Sequence, residues 1–433
     1  MMRKPPTLTH WGLGLLWCLS ASINSVHAEN LNLPETVNLQ QLVQILKEKS
    51  PRFAAERSRV DIAQADRVAA EALPNPRVTY GRYDHVSGKN TFFEGNQQQQ
   101  TQVDIPVLIA GQRPVRREAA ERSVTAAEAQ VENAYAELLK NSWHSFVKLL
   151  SAQQKLAALE HSETELDRLK KIVTGRAESG AASRYDVMRM TIESADLHAR
   201  IEQVRADTID IAGGIGTMLS LPGWKPKAEG LLQPLGVNVD LAALKTEAET
   251  VNPAINAARR QEDRATAIIE KTKRERWPTP VISFGNAWTN HPDGMVTFGQ
   301  ISVEIPLFDR GQGAIAKAEA EKRTTTYERQ ALSSAIQAEL ERAAALLVKN
   351  RENLGRFEED VAGHLPELKQ MAEDAYLFSK SNLLELLDAT RAQNELAIRK
   401  LELTEAVVLA EIDTLAAAGL LDSDALAGIS KQR

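Results

Sequence analysis

Cysteine is almost missing from this chain: its 433 residues hold one, Cys18. Past that position no disulfide and no cysteine-based metal site can form, which suits an oxidising compartment where a stray thiol is a liability. Aromatic residues make up only 5% of the chain, too few for a large aromatic core. Charge of one sign is not in excess either. The 52 basic and 58 acidic residues leave a net −6, without the basic stripe of a nucleic-acid binder. Beyond the N-terminus no stretch is apolar enough for a membrane helix, which needs about 20 such residues. If the chain enters a membrane, a closed β-barrel is the remaining way, because every backbone polar group must be paired there. Ala, Glu, Leu, Gln and Arg dominate instead, and they favour long helices.

The first 28 residues have the layout of an export signal. Arg3 and Lys4 give a positive start, an apolar run follows from Trp11 to Leu19, and Val26-His27-Ala28 supplies small residues at the cleavage positions. Cleavage before Glu29 is expected, and it would remove Cys18 with the signal. Trp17 stands before Cys18 where lipid attachment calls for a small residue, so Cys18 is read as part of the apolar run.

The mature chain repeats itself at a period near 200 residues. Ile105-Pro106-Val107-Leu108 and Gly111-Gln112 recur 200 positions later as Ile305-Pro306-Leu307-Phe308 and Gly311-Gln312. Pro74-Asn75-Pro76 recurs 204 later as Pro278-Thr279-Pro280, and Tyr185-Asp186-Val187 answers to Leu384-Glu385-Leu386 at 199. Each repeat reads as helix, strand, strand, very long helix, helix. The expected organisation is a first repeat over 29–221, a Pro- and Gly-containing linker over 222–236, a second repeat over 237–421 and a tail over 422–433.

The Pro-x-Pro elements close helices, since proline cannot continue one. Strands are then expected at about 77–86 and 97–106, and at about 280–289 and 295–305. Ile301, Val303 and Ile305 alternate with Gln300, Ser302 and Glu304, while Val103 and Ile105 alternate with Gln102 and Asp104. Period two separates an apolar from a polar face. An ordinary sheet on a core would show the same alternation, but spans of 8–11 residues suit a tilted membrane strand of about 9–11. Four strands cannot close a barrel, for which about eight is the minimum. Several copies must share one, and three would supply 12 strands. Gln102, Asp104, Gln300 and Glu304 are then the expected lumen positions, and Ile301, Val303 and Ile305 the lipid-facing ones. The polar turns at 87–96 and 289–294 would be extracellular loops.

Long helices are expected over about 114–179 and 312–378. At 1.5 Å per residue, some 65 helical residues extend roughly 100 Å. The second carries a heptad series, Ile336, Leu340, Ala343, Leu347, Asn350, Leu354, Phe357 and Val361. The helix after it answers with Leu383, Leu387, Thr390, Asn394, Ala397, Leu401, Thr404 and Val408. Such spacing makes antiparallel coiled-coil pairs joined by short turns. A soluble coiled-coil scaffold would share these helices, though not the four amphipathic strands.

No catalytic constellation, cofactor motif or metal site is found. The histidines are scattered singly, without His-x-x-x-His spacing. Met188 and Met190 stand two apart on a helix and so point to different faces. Gly213-Gly214-Ile215-Gly216 lacks the Lys-Ser/Thr of a phosphate loop. An enzyme is not expected. Glu373 and Asp374, near the second helical turn, are candidate gate residues: threefold symmetry would turn each into a carboxylate ring, which favours cations.

Strands bracketed by Pro-x-Pro and Ile-Pro, then Gly-Gln and a long Ala-rich helix, twice over, resemble the outer membrane factor family, the TolC-like ducts. The string from Ile301 through Pro306 to Gly313 is similar to that family's second-repeat approach to its long helix. Gly111-Gln112-Arg113-Pro114-Val115-Arg116 resembles a Gly-Lys-Arg element of the CzcC-like heavy-metal branch, with Gln112 in the lysine position. The segment from Arg176 through Gly180 and Ser183 to Tyr185 and Asp186 resembles the family's periplasmic tip. Ser379, Ser381 and Asn382 occupy the second tip, with Ser379 where glycine is usual. The resemblance implies a mainly α protein with a membrane β-barrel: a homotrimer whose 12-stranded barrel sits in the outer membrane of a Gram-negative bacterium, above a periplasmic helical tunnel. The tip residues would contact a periplasmic adaptor serving an inner-membrane pump of the RND type. The cargo implied is heavy-metal cations, with drug efflux or type I protein secretion as alternatives.

Overall fold

The computed structural model describes residues 33–84, 97–289, 294–362, 364–378 and 380–421. The expected signal, both extracellular-loop segments in large part, the tail and Ser379 lie outside the described residues. The first half runs through α1 (Leu39–Lys49), α2 (Pro51–Glu71), β2 (Arg77–Asp84), β3 (Gln97–Pro106), α3 (Gln112–Glu178) and α4 (Arg184–Met218). The second runs through α5 (Leu241–Val251), α6 (Pro253–Glu275), β5 (Val281–Thr289), β6 (Gly294–Ser302), α7 (Gln312–Phe357), α8 (Leu365–Leu377) and α9 (Leu383–Ala418). Two short strands, β1 (Thr36–Val37) and β4 (Lys227–Ala228), pair in parallel beside them.

The main sheet is antiparallel in the order β2-β3-β5-β6. The helices that run into and out of these strands keep the same order: α2 packs on α3, α3 on α6, and α6 on α7. Sheet and helix layer are therefore one continuous set of four ribbons, with α2–β2 at one edge and β6–α7 at the other.

Each strand-to-helix junction is made by a Gly-Gln pair. Gly111 and Gly311 hold the left-handed region at φ 71° and 74°, a turn that costs other residues about 1–2 kcal/mol. The glutamine then folds back: Oε1 of Gln112 accepts from the Ala110 N–H at 2.9 Å, and Oε1 of Gln312 from the Arg310 N–H at 2.7 Å. The helices α2 and α6 start alike, with proline in the first turn and a capping side chain before it, Ser50 in one and Asn252 in the other. Each cap also reaches the end of a distant helix, Ser50 Oγ donating to the Leu219 carbonyl and Asn252 Nδ2 to that of Ala417.

The 67 residues of α3 form one unbroken helix, about 100 Å at 1.5 Å per residue. The second long helix departs from the expectation of continuity to 378. It stops at Phe357, passes through a π-helical turn at Glu358–Ala362 and restarts as α8 at Leu365. Pro366 is the physical reason: proline has no N–H to offer the carbonyl four residues earlier. The wider turn takes up the lost register.

The α7 series packs on α9, though not on the α9 residues expected to answer it. Leu347 and Leu354 are buried against Leu403, Val407 and Ala410, whereas Leu387 and Val408 of the expected α9 series lie in cores shared with α3. Asn350 donates across the pair to the Ala406 carbonyl at 3.0 Å. Midway along α3 and near the end of α9, the two helices meet through an ionic cluster. Asp413 Oδ1 lies 2.8 Å from Lys140 Nζ and 3.1 Å from His144 Nε2. Burial alone would raise this carboxyl, but the hydrogen bonds and charges of His144 and Lys140 outweigh it and hold Asp413 down to about 2. An ordinary value is 3.8, so the ionised group stabilises the fold fully above about pH 4. That contribution fades as pH falls toward 2, where the folded group finally protonates. The shift is worth about 2 kcal/mol. Unfolding free energies of wild type and Asp413→Asn, measured in detergent from pH 6 to pH 2, should differ at the upper end and converge at the lower. A constant gap would refute the assignment.

Candidate functional site

The far ends of α3–α4 and α8–α9 form two helical turns sharing one core. Leu166, Leu169 and Val173 of α3, Met190, Leu197 and Ile201 of α4, Tyr376 of α8, and Leu383, Leu386 and Leu387 of α9 are buried together. Burying each such side chain contributes about 1.5–3 kcal/mol.

Arg176 joins the two turns. Its Nη1 donates to the carbonyls of Tyr376 at 2.8 Å and Leu377 at 3.3 Å, and its guanidinium lies 4.8 Å from the Tyr376 ring centroid. Those carbonyls end α8, where the helix dipole favours a cation. Burial pushes the Tyr376 phenol up, against the pull of Arg176. The Arg176 carbonyl in turn accepts from the N–H groups of Ala181 and Ala182, with Gly180 left-handed at φ 79° between. Ser183 and Asp186 form a capping box on α4: Ser183 Oγ accepts the Asp186 N–H, and Asp186 Oδ2 accepts the Ser183 N–H at 2.8 Å. Tyr185 projects outward, 63% exposed. In the second turn the Ser381 N–H donates to the Ala375 carbonyl, and Asn382 caps α9 by accepting the Glu385 N–H at 3.0 Å.

The two carboxylates read as gate candidates have different surroundings. Glu373 is buried and ion-paired with Arg168 of α3. Asp374 is exposed and accepts from Gln370 Nε2 at 3.1 Å. Further pairs cross between the halves that heptad reading missed: Glu165 with Lys369, and Glu193 with Arg391. Burial raises the Glu165 carboxyl, but Lys369 and the neighbouring His161 and Arg168 bring it below the usual range. Charges within a helix repeat are common in sequence, and only the packing of α3 against α8 and α4 against α9 identifies the partners. Of the Met188–Met190 pair, Met190 is buried and Met188 is 58% exposed, so they do not converge. Gly216 of the glycine cluster lets the linker approach: a Cβ there would sit 2.4 Å from the Trp224 carbonyl oxygen.

In the sheet, Arg77, Asp104, Ser283 and Gln300 stand opposite one another in turn, and Gln102 lies two residues from Asp104 on the same face. Asp104 accepts from Ser283 Oγ at 2.6 Å and from the Gln102 amide. Val78, Tyr80, Phe284 and Ile301 lie on the opposite face and are 57–72% exposed. The ladder of β6 ends at Ser302, so Glu304, Val303 and Ile305 lie just beyond it rather than within a strand reaching 305. Among the described residues no helix is long and apolar enough to cross a membrane, and no three His, Cys, Asp or Glu side chains converge to hold a metal ion.

Comparison with known proteins gives this geometry its relatives. Residues 42–212 match the family described as outer membrane efflux protein. The chain is 22% identical over 352 residues to the cobalt-zinc-cadmium resistance protein CzcC of Cupriavidus metallidurans, covering 81% of this chain and 82% of that protein. The chain is thus similar to outer membrane efflux proteins, over 42–212 by the family match and over most of its length by the likeness to CzcC. Solved channels of the same fold include CusC, at a TM-score of 0.72 and 17% identity, covering 89% of this chain and 93% of that one. The outer membrane protein VceC of Vibrio cholerae matches at 0.70 and 14%, covering 88% and 96%. The described structure accordingly shares the fold of these solved outer-membrane channels.

Proposed function

We propose that this chain is the outer-membrane duct of a tripartite system, in which three copies, each a single chain of two tandem repeats, share a 12-stranded barrel above a helical tunnel. The observation that carries the reading is the main sheet. Among the described residues it has four strands, two free edges and a face of exposed Val78, Tyr80, Phe284 and Ile301 with nothing against it. Lipid suits such a face, and closure by further copies removes the edges. Gln102, Asp104 and Gln300 on the other face would line the lumen, with Glu304 continuing them.

Conduction is passive in this reading, and the protein performs no catalysis. An inner-membrane RND pump, docked through a periplasmic adaptor at Arg176, Gly180, Ser183, Tyr185, Asp186, Ser379, Ser381 and Asn382, supplies the cargo. Heavy-metal cations are the cargo favoured, on the strength of the match to CzcC over most of the chain. Glu373 would act as a strut of the closed tip, paired with Arg168, and Asp374 as the carboxylate presented to passing ions. The adaptor opens the tip by binding the open form better.

Single-channel recording in a planar bilayer tests this. Purified protein should give discrete cation-selective pores, and Asp374→Ala should lower the preference for cations. A protein that washes off membranes in carbonate, stays dispersed without detergent and forms no pore would overturn the duct. Pores indifferent to Asp374→Ala would remove that residue from the gate.

A further inference from the structure

We infer that the sheet is completed by a second copy of this chain in one register, with Glu304 hydrogen-bonded to Thr79 of the neighbouring copy. The inference rests on the shared-barrel reading above and adds the residues that form its seam.

The template for the seam is inside the protomer. Between β3 and β5, Asp104 stands opposite Ser283 and accepts its hydroxyl at 2.6 Å, and the Val107 N–H donates to the Pro280 carbonyl at 2.8 Å. The chain then offers the same two edges again. Glu304-Ile305-Pro306 follows Asp104-Ile105-Pro106 by 200 residues. Thr79 stands three residues after Pro74-Asn75-Pro76, as Ser283 stands three after Pro278-Thr279-Pro280. A carboxylate just past β6 and a hydroxyl on β2 thus recur along the two outer edges that lack a partner among the described residues. Transferring the β3–β5 register puts Glu304 opposite Thr79, Val303 opposite Tyr80 and Ile305 opposite Val78.

Three features agree with this register. The first is facing. Thr79 pairs with Gln102, on the side of Asp104, and Gln300 shares that side; continuing the alternation of β6 by four residues brings Glu304 to it. A slip of one residue would set Glu304 among Val78 and Tyr80 on the apolar side. The second is the unfinished edge. β3, paired on both sides, runs to Pro106, whereas β6 stops at Ser302, leaving Val303 and Ile305 47% and 71% exposed. A neighbouring β2 would extend the ladder through them. The third is closure. The observed registers lead from Arg77 to Asp104, Ser283 and Gln300, and the seam leads on to Tyr83 of the next copy, six residues along the starting strand. Three copies accumulate 18 residues over 12 strands. With a rise of about 3.3 Å and a strand spacing of about 4.8 Å, that tilts the strands by about 45°, in the range of membrane barrels.

Disulfide trapping tests the register on the full chain, whose only native cysteine lies in the expected signal. Opposed residues in a ladder have Cα atoms about 4.5–5.5 Å apart, within disulfide reach, and residues displaced by two do not. Glu304→Cys combined with Thr79→Cys should convert most of the chain to covalent dimer and trimer on oxidation. Combined with Arg77→Cys or Gly81→Cys, it should not. Ile305→Cys with Val78→Cys samples the same register without touching the Glu304–Thr79 pair, and so covers a double variant that fails to assemble. Asp104→Cys with Ser283→Cys should close within one protomer, leaving its mass unchanged. Covalent trimer from the displaced pairs would overturn the register while keeping the shared barrel. No trapping by any pair, in protein that amine-reactive reagents still fix as a trimer, would overturn the seam. A detergent-extracted monomer that neither reagent links would overturn the barrel reading as well.

Discussion

Glu411→Ala should destabilise this protein by about 3–5 kcal/mol, the range for removing one partner of a buried charged network. Glu411 lies on α9 with no solvent exposure. Its Oε2 accepts the Leu235 N–H at 2.6 Å, and its Oε1 accepts those of Gly236 at 3.0 Å and Val237 at 3.3 Å. Arg351 of α7 completes the set at 2.5 Å. The carboxylate thus pins the end of the linker to the coiled-coil pair. Alanine would leave three N–H groups and a guanidinium without their acceptor. Glu411→Gln, which keeps the shape and one carbonyl oxygen, should cost less, about 1–3 kcal/mol. Denaturant unfolding in detergent reads the difference, and limited proteolysis should cut the Ala variant first near residues 235–237. A loss below about 1 kcal/mol with an uncut linker would mean that the linker is held elsewhere.

The second large effect is expected at the tip. Arg176→Ala removes the charge-assisted bonds from the first helical turn to the carbonyls ending α8. Such bonds contribute about 1.5–3 kcal/mol. If they hold only the closed arrangement, losing even 1.4 kcal/mol raises the open-to-closed ratio about tenfold. Arg176→Ala should therefore raise open probability in bilayer recordings by about that factor. Arg176→Lys should recover only part of the closure, since an ammonium lacks the fork that spans two carbonyls and stacks on Tyr376. Glu373→Gln, which weakens the pair with Arg168, should act in the same direction. Unchanged gating in a variant that unfolds at the wild-type temperature would assign Arg176 to stability alone.

Much of this organisation is local and therefore legible along the chain. Helices form through bonds four residues apart, so a proline-poor stretch from 115 onward was enough to expect α3. Strand alternation separated Asp104 from Ile105 because neighbouring side chains on a strand must point opposite ways. The Pro-x-Pro and Gly-Gln pairs marked the junctions because their backbones admit few conformations. Ser183, Asp186 and Asn382 were singled out by their place in the tip turns rather than as caps, although in the structure each bonds within three residues of itself.

The remaining features depend on segments far apart in sequence. The acidic pair at 373–374 looked uniform in sequence, yet one member is buried against Arg168, 205 positions away, while its neighbour stays in solvent. The break at Glu358–Ala362 depends on how α7 and α8 must each keep packing against α9 around a proline. Glu411 is one glutamate among many until the linker folds over it. By itself the sequence determined the order and type of the main elements and the alternation of the strand faces, because bonds within a few residues dictate these. Only the tertiary structure decided which charges are paired, which carboxylate is buried and which strand edges are left open, because those follow from contacts that no local pattern encodes.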